Sequence, residues 1–272
     1  MIRTIKLILY FFAYQLAFSS VFLIGYMICH HTLEMPTYDS PGFLNVSLIA
    51  QVLSTLAVGI HLAWGGYIPL NRKTLSPVSA GTVITCIFLI AGMGLWTNYF
   101  NEALDLPDTM EELFTRMMYN PFGVIAVTIM APIVEEMLFR GAIEGHLLRK
   151  WKNPAWAVIV SSLIFGLVHY NPAQVPFAFV LGLALGWVYY RTGSLLPGMI
   201  MHFVNNTSSV ILFHLADDKN ATLNDMLGPV GAACYAGAGI MVTVVCIWLI
   251  GRKLVPQPTV WTVSYTHLTL PT

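Results

Sequence analysis

The chain has 272 residues, 57% hydrophobic and 10% charged, with zero net charge and a mean hydropathy of +0.71. A soluble domain carries about 25% charged residues, so this composition predicts a polytopic membrane protein, and the zero net charge gives no reason to expect a nucleic-acid partner. Cys29, Cys86, Cys234 and Cys246 are scattered without C-x-x-C spacing, which argues against a disulfide framework or a zinc–thiolate site.

A bilayer-spanning helix needs about 20 mostly apolar residues. Eight stretches qualify: 5–28, 43–69, 78–99, 122–148, 155–169, 175–190, 195–215 and 230–250. No small-residue cleavage site follows the first, so it reads as a retained anchor. Between the third and fourth, residues 106–118 predict an amphipathic surface helix. Asp108 is placed as its N-cap, with Glu111 at capping-box spacing. That segment serves as a connector or as a gate for lateral entry. The fifth and sixth stretches are short, and the N-P-A-Q-V-P run at 171–176 predicts a break between them. The expected fold is an all-α membrane bundle of about eight helices. Residues 1–120 hold the N-terminal spans and the amphipathic segment, 121–215 a core, and 216–255 the last loop and span. Residues 256–272 form a tail with no assigned role.

Lys and Arg in the loops predict orientation. Ten of the 13 basic residues (Arg3, Lys6, Arg72, Lys73, Arg149, Lys150, Lys152, Arg191, Arg252 and Lys253) fall at the termini and the even-numbered connections. Both termini are therefore expected in the cytoplasm. Acidic residues, Asp217 and Asp218 among them, gather on the outer side, with Lys219 beside them.

The fourth stretch places Glu135, Glu136 and Arg140 inside an apolar run. Each such charge at the bilayer centre costs at least ~2.5–3.5 kcal/mol, so their presence asks for a purpose. Glu136 and Arg140, at i and i+4, share a face and predict an ion pair. Glu135 is rotated by about 100° and points elsewhere, without an arginine of its own. Glu144 is a possible second partner of Arg140. Pro132 frees the carbonyl of Thr128 and predicts a kink. In later stretches Phe165 and His169 share a face, as do His202 and Asn206, with Asn205 an alternative amide. His61 is the one other histidine well inside a span.

A carboxylate, two histidines and an amide on three helices suit water-mediated amide hydrolysis. Glu135 with His169 would activate water by general base catalysis, and His202 with Asn206 would hold the oxyanion. Neither a G-x-S-x-G elbow nor an H-E-x-x-H zinc motif accompanies them. The bland alternative is an ionic cluster that only holds helices together.

E-E-M-L-F-R (135–140), F-G-L-V-H (165–169) and H-F-V-N-N (202–206) stand in the order of the E-E-x-x-x-R, F-x-x-x-H and H-x-x-x-N/D motifs. The chain thereby resembles the CPBP, or Abi, intramembrane endopeptidases, which include the type II CAAX prenyl proteases, over roughly residues 121–213. The resemblance implies a glutamate-type endopeptidase of the plasma membrane of a prokaryote, without a cofactor or metal. Membrane lipid and a peptide or membrane-anchored protein substrate are the implied partners. It assigns catalysis to Glu135, His169, His202 and Asn206, and support to Glu136, Arg140 and Phe165. Two Glu and two His could in principle bind zinc. Outside catalysis, the polar cavity suits a non-catalytic bacteriocin-immunity protein, or a proton-coupled transporter relaying through Glu135 and Glu136.

Overall fold

A computed structural model describes residues 2–68, 74–216 and 221–254, and among these there is no β-strand. The chain forms α1 (Ile2–Cys29), α2 (Phe43–Trp64), α3 (Ala80–Leu104), α4 (Glu111–Met118), α5 (Pro121–Lys150), α6 (Pro154–Leu167), α7 (Val175–Thr192), α8 (Leu195–Leu215) and α9 (Leu223–Leu249). The expected basic pair Arg72 and Lys73, the end of the second stretch, Asp217, Asp218, Lys219 and the 256–272 tail lie outside the described residues.

Six of these helices are long and apolar enough to cross a membrane, against the eight expected. The two shortfalls have different causes. Helix α6 has 14 residues, about 21 Å of axis at ~1.5 Å per residue. Helix α8 has 21 residues, but His202, Asn205, Asn206, Thr207, Ser208 and Ser209 interrupt its apolar run.

The helix starts follow local chemistry. Asn120, Asn153 and Ser194 each accept a hydrogen bond from the backbone N–H two residues on, ahead of α5, α6 and α8. Pro121 and Pro154 then occupy first-turn positions where a missing N–H costs nothing. Thr222 and Asp225 form a capping box that starts α9 seven residues before the expected position. Within α9 the backbone breaks helical geometry at Gly228, φ 67°, just before Pro229.

Helix α5 is the central element. It packs against α1, α2, α6, α7 and α8, while α3 runs along α9 and α6 folds back on α7. Gly166 permits that fold-back, because a β-carbon there would stand 2.9 Å from the Val175 carbonyl oxygen. Leu138, Phe139, Ala142, Ile143 and Leu147 of α5 are at most 1% exposed and anchor one apolar cluster with Leu7, Val58 and Phe165. The kink expected at Pro132 takes another form. The backbone stays right-handed on both sides, and the hydrogen bonding widens to a π-turn over Ala126–Met130. A second, longer π segment covers Glu136–Glu144.

Helix α4 also departs from expectation. Asp108 does not cap it. The helix starts at Glu111, and the Asp108 carboxylate instead accepts from the Met110 N–H at 2.9 Å and from the Asn171 side chain at 2.8 Å. A distant partner has overridden the local capping signal.

Candidate active site

Helices α5, α6 and α8 each bring one of the three motifs to a common site. Arg140 and Glu136 are fully buried and paired, with Arg140 Nη1 donating to Glu136 Oε1 at 3.0 Å. Arg140 Nη2 donates to the Gly182 carbonyl of α7 at 3.2 Å. The guanidinium also lies 4.4 Å from the centre of the Phe165 ring, a cation–π contact of ~2 kcal/mol or more when desolvated. Phe165 therefore supports the arginine from the next helix, and its ring meets both His169 and His202 edge-on.

The Glu136 carboxylate fits only because α8 has a glycine opposite it. A β-carbon at Gly198 would stand 2.8 Å from Glu136 Oε2. Glycines of α7 serve the same helix face. Gly182 supplies the carbonyl to Arg140, and one turn on, a β-carbon at Gly186 would stand 2.5 Å from Glu144 Oε2. Glu144 makes no hydrogen bond or close ion pair with Arg140 among the described residues. Both its oxygens are buried and lack a hydrogen-bond partner.

His202 sits between the two adjacent carboxylates. Its Nδ1–H donates to Glu136 Oε1 at 3.2 Å, and its Nε2 lies 3.9 Å from Glu135 Oε2. Glu136 and Glu135 thus approach different nitrogens of one imidazole. A 3.6-residue helix turns adjacent side chains about 100° apart. The backbone is ordinary right-handed α at both residues, φ −67° and ψ −42° at Glu135 and φ −64° and ψ −37° at Glu136, so the two ring nitrogens of His202 span that angle. The Glu135 side chain keeps 21% exposure where Glu136 has none. It is the carboxylate within reach of an incoming molecule.

His169 lies just past the end of α6, and its Nδ1–H donates to the Phe165 carbonyl at 2.8 Å. A carbonyl only accepts, so this bond fixes the proton on Nδ1 and leaves the Nε2 lone pair as the basic position. The imidazole beside Glu135 is His202 rather than His169. Asn206 donates one amide hydrogen to the Val127 carbonyl at 2.9 Å and accepts from the Asn205 amide at 3.1 Å, which sets its orientation. Its second amide hydrogen has no partner among the described residues. His61 belongs elsewhere: Tyr14 bonds its Nδ1 at 3.0 Å, and Tyr10 and Tyr67 flank the ring. Among the described residues, no group of three or more His, Cys, Asp or Glu is arranged to hold a metal ion.

Residues 117–208, which contain all three motifs, match the family model for the type II CAAX prenyl endopeptidase, Rce1-like. Three curated bacterial proteins are similar to parts of this chain. The putative membrane peptidase YdiL of Bacillus subtilis is 34% identical over 92 residues, covering 34% of this chain and 37% of that one. The membrane-embedded CAAX protease MroQ of Staphylococcus aureus is 33% identical over 118 residues, 42% of this chain and 47% of that one. The uncharacterized protein YpbD of Bacillus subtilis is 26% identical over 128 residues, 46% and 62% of the two chains. The matched segment thus spans about a third to three-fifths of these relatives. No solved structure matches. The matches support the CPBP family for the segment that carries the site, within an integral membrane protein with bacterial relatives.

Proposed function

We propose that the chain is an intramembrane endopeptidase that hydrolyses a peptide bond with water activated by Glu135 and His169. The observation that carries this reading is the convergence of the three motifs on one buried site, with Glu135 as its accessible carboxylate. His169 enters with Nε2 as base. Glu136 and Arg140 are already committed to each other, so they position rather than react.

In this mechanism a water molecule binds between Glu135 and His169. One of them takes its proton as the oxygen attacks the carbonyl carbon, and the proton passes to the leaving amine. The oxyanion takes hydrogen bonds from His202 Nε2–H and the remaining amide hydrogen of Asn206. Since Nδ1–H is held by Glu136, this role uses the doubly protonated His202 ring, in which both nitrogens donate. Neither a resident metal nor a cofactor takes part. The substrate is a peptide or membrane-anchored protein, in keeping with the names of YdiL and MroQ, and the loop charges support cytoplasmic termini.

The test is comparative peptidomics of membranes expressing wild-type, Glu135→Ala and His169→Ala proteins. Peptides that disappear in both variants identify substrates. Identical peptide profiles in all three would refute the reading, and a chelator that abolishes cleavage would refute the metal-free mechanism.

A further inference from the structure

We propose that Asn171 is a positioning residue for His169, and that with Asp108 it ties the catalytic turn to the segment leading into α4. The proposal rests on the proteolytic reading for its catalytic half. Its anchoring half stands on geometry alone.

His169 lies outside the helices, though its ring and amide bond back to the last turn of α6. Helix α6 ends at Leu167, and α7 begins at Val175. Between them Tyr170 adopts φ 54°, a left-handed conformation that a bulky side chain rarely takes. Such a residue persists only where the chain on both sides is pinned. On the near side, the His169 and Tyr170 amides bond the carbonyls of Gly166 and Leu167. On the far side the pin is Asn171.

Asn171 is fully buried and makes four hydrogen bonds. Its backbone carbonyl accepts from Gln174 N at 2.9 Å and Val175 N at 3.0 Å, which starts α7. Its side-chain oxygen accepts from Thr109 N at 3.2 Å, and its side-chain nitrogen donates to Asp108 Oδ1 at 2.8 Å. The same Asp108 oxygen accepts from Met110 N, which shapes the turn before α4. One buried amide therefore joins the His169 turn, the start of α7 and the approach to α4. A shift of the 108–110 turn is transmitted to His169 through two residues of constrained backbone. An amide suits this link because it donates to a carboxylate and accepts from a backbone N–H at once.

The pair can be exchanged. Asn171→Asp places two carboxylates at 2.8 Å and breaks the link. Adding Asp108→Asn restores one donor and one acceptor with the roles reversed. Hydrogen–deuterium exchange over residues 166–175 and steady-state cleavage are measured on full-length protein in micelles for wild type, Asn171→Asp, Asp108→Asn and the double variant. Asn171→Asp is expected to accelerate exchange at least about tenfold. It should lower kcat ten- to a hundredfold with KM nearly unchanged, the pattern of a misplaced catalytic group and on the order expected for a displacement of about 1 Å. The double variant should recover both. Failure of the double variant to recover exchange protection overturns the anchoring. Recovered protection with kcat unaffected in Asn171→Asp overturns the positioning of His169. A wild-type protein that cleaves nothing, with the exchange pattern as expected, refutes the proteolytic reading and leaves the anchoring supported.

Discussion

Replacing Glu136 by Gln changes almost no volume but strands a cation. Arg140 is fully buried, and Glu136 is the acid that pairs with it. Removing one partner of such a pair costs about 3–5 kcal/mol, because the remaining charge stays desolvated. The Gln side chain keeps an acceptor oxygen, and the Gly182 carbonyl and Phe165 ring remain in place. The loss therefore falls near the lower end, about 3 kcal/mol, or on the order of 10 °C in melting temperature for a chain of this size. Glu135→Gln, at 21% side-chain exposure and without a close bond, should shift melting far less. Unfolding is followed in detergent with a thiol-reactive fluorophore. Exposed Cys29 and Cys234 are first replaced by Ser, so that buried Cys86 and Cys246 report on opening. The double change Glu136→Gln with Arg140→Met removes both charges and should recover most of the loss. Equal melting of Glu136→Gln and Glu135→Gln, or a double variant as unstable as the single, would refute the reasoning.

Gly198→Ala should lower kcat on the order of tenfold, read by cleavage of any substrate the peptidomics identifies. Its β-carbon would enter 2.8 Å from Glu136 Oε2 and push the carboxylate and His202 together; unchanged activity would mean that the fit at Gly198 is looser than described. Phe165→Leu keeps the packing roughly but removes the ring over Arg140. A melting loss of about 2 kcal/mol is expected, and the loss should vanish in the Glu136→Gln with Arg140→Met background, where no cation remains. Thr222→Ala deletes the side-chain arm of the α9 capping box and keeps the arm from the Thr222 backbone N–H to Asp225. It should cost about 1 kcal/mol and leave cleavage unchanged, measured side by side with Gly198→Ala.

The parts legible in the sequence are those set by near neighbours. Asn120–Pro121 and Asn153–Pro154 mark helix starts because cap and proline act within three residues. The Glu136–Arg140 pair follows from i, i+4 spacing and survives the change to π geometry. That one imidazole reaches both Glu135 and Glu136 does not follow, because His202 stands on another helix, 66 positions from Glu136. Asp108 misleads for a related reason. Locally it satisfies every requirement of an N-cap, yet its partner Asn171 is 63 positions away. The seats at Gly198 and Gly186 are also invisible, since a glycine in an apolar run gives no sign of which carboxylate lies across from it.

Helix α6 bears on how water reaches the candidate site. Its axis of about 21 Å is roughly 9 Å less than a hydrocarbon layer of ~30 Å. A bilayer meeting so short a wall thins locally or draws its headgroups inward. His169 stands just beyond one end of that helix. The shortfall thus carries the aqueous boundary toward His169, and in the proposed mechanism the attacking water has a shorter distance to travel than the membrane's nominal depth implies.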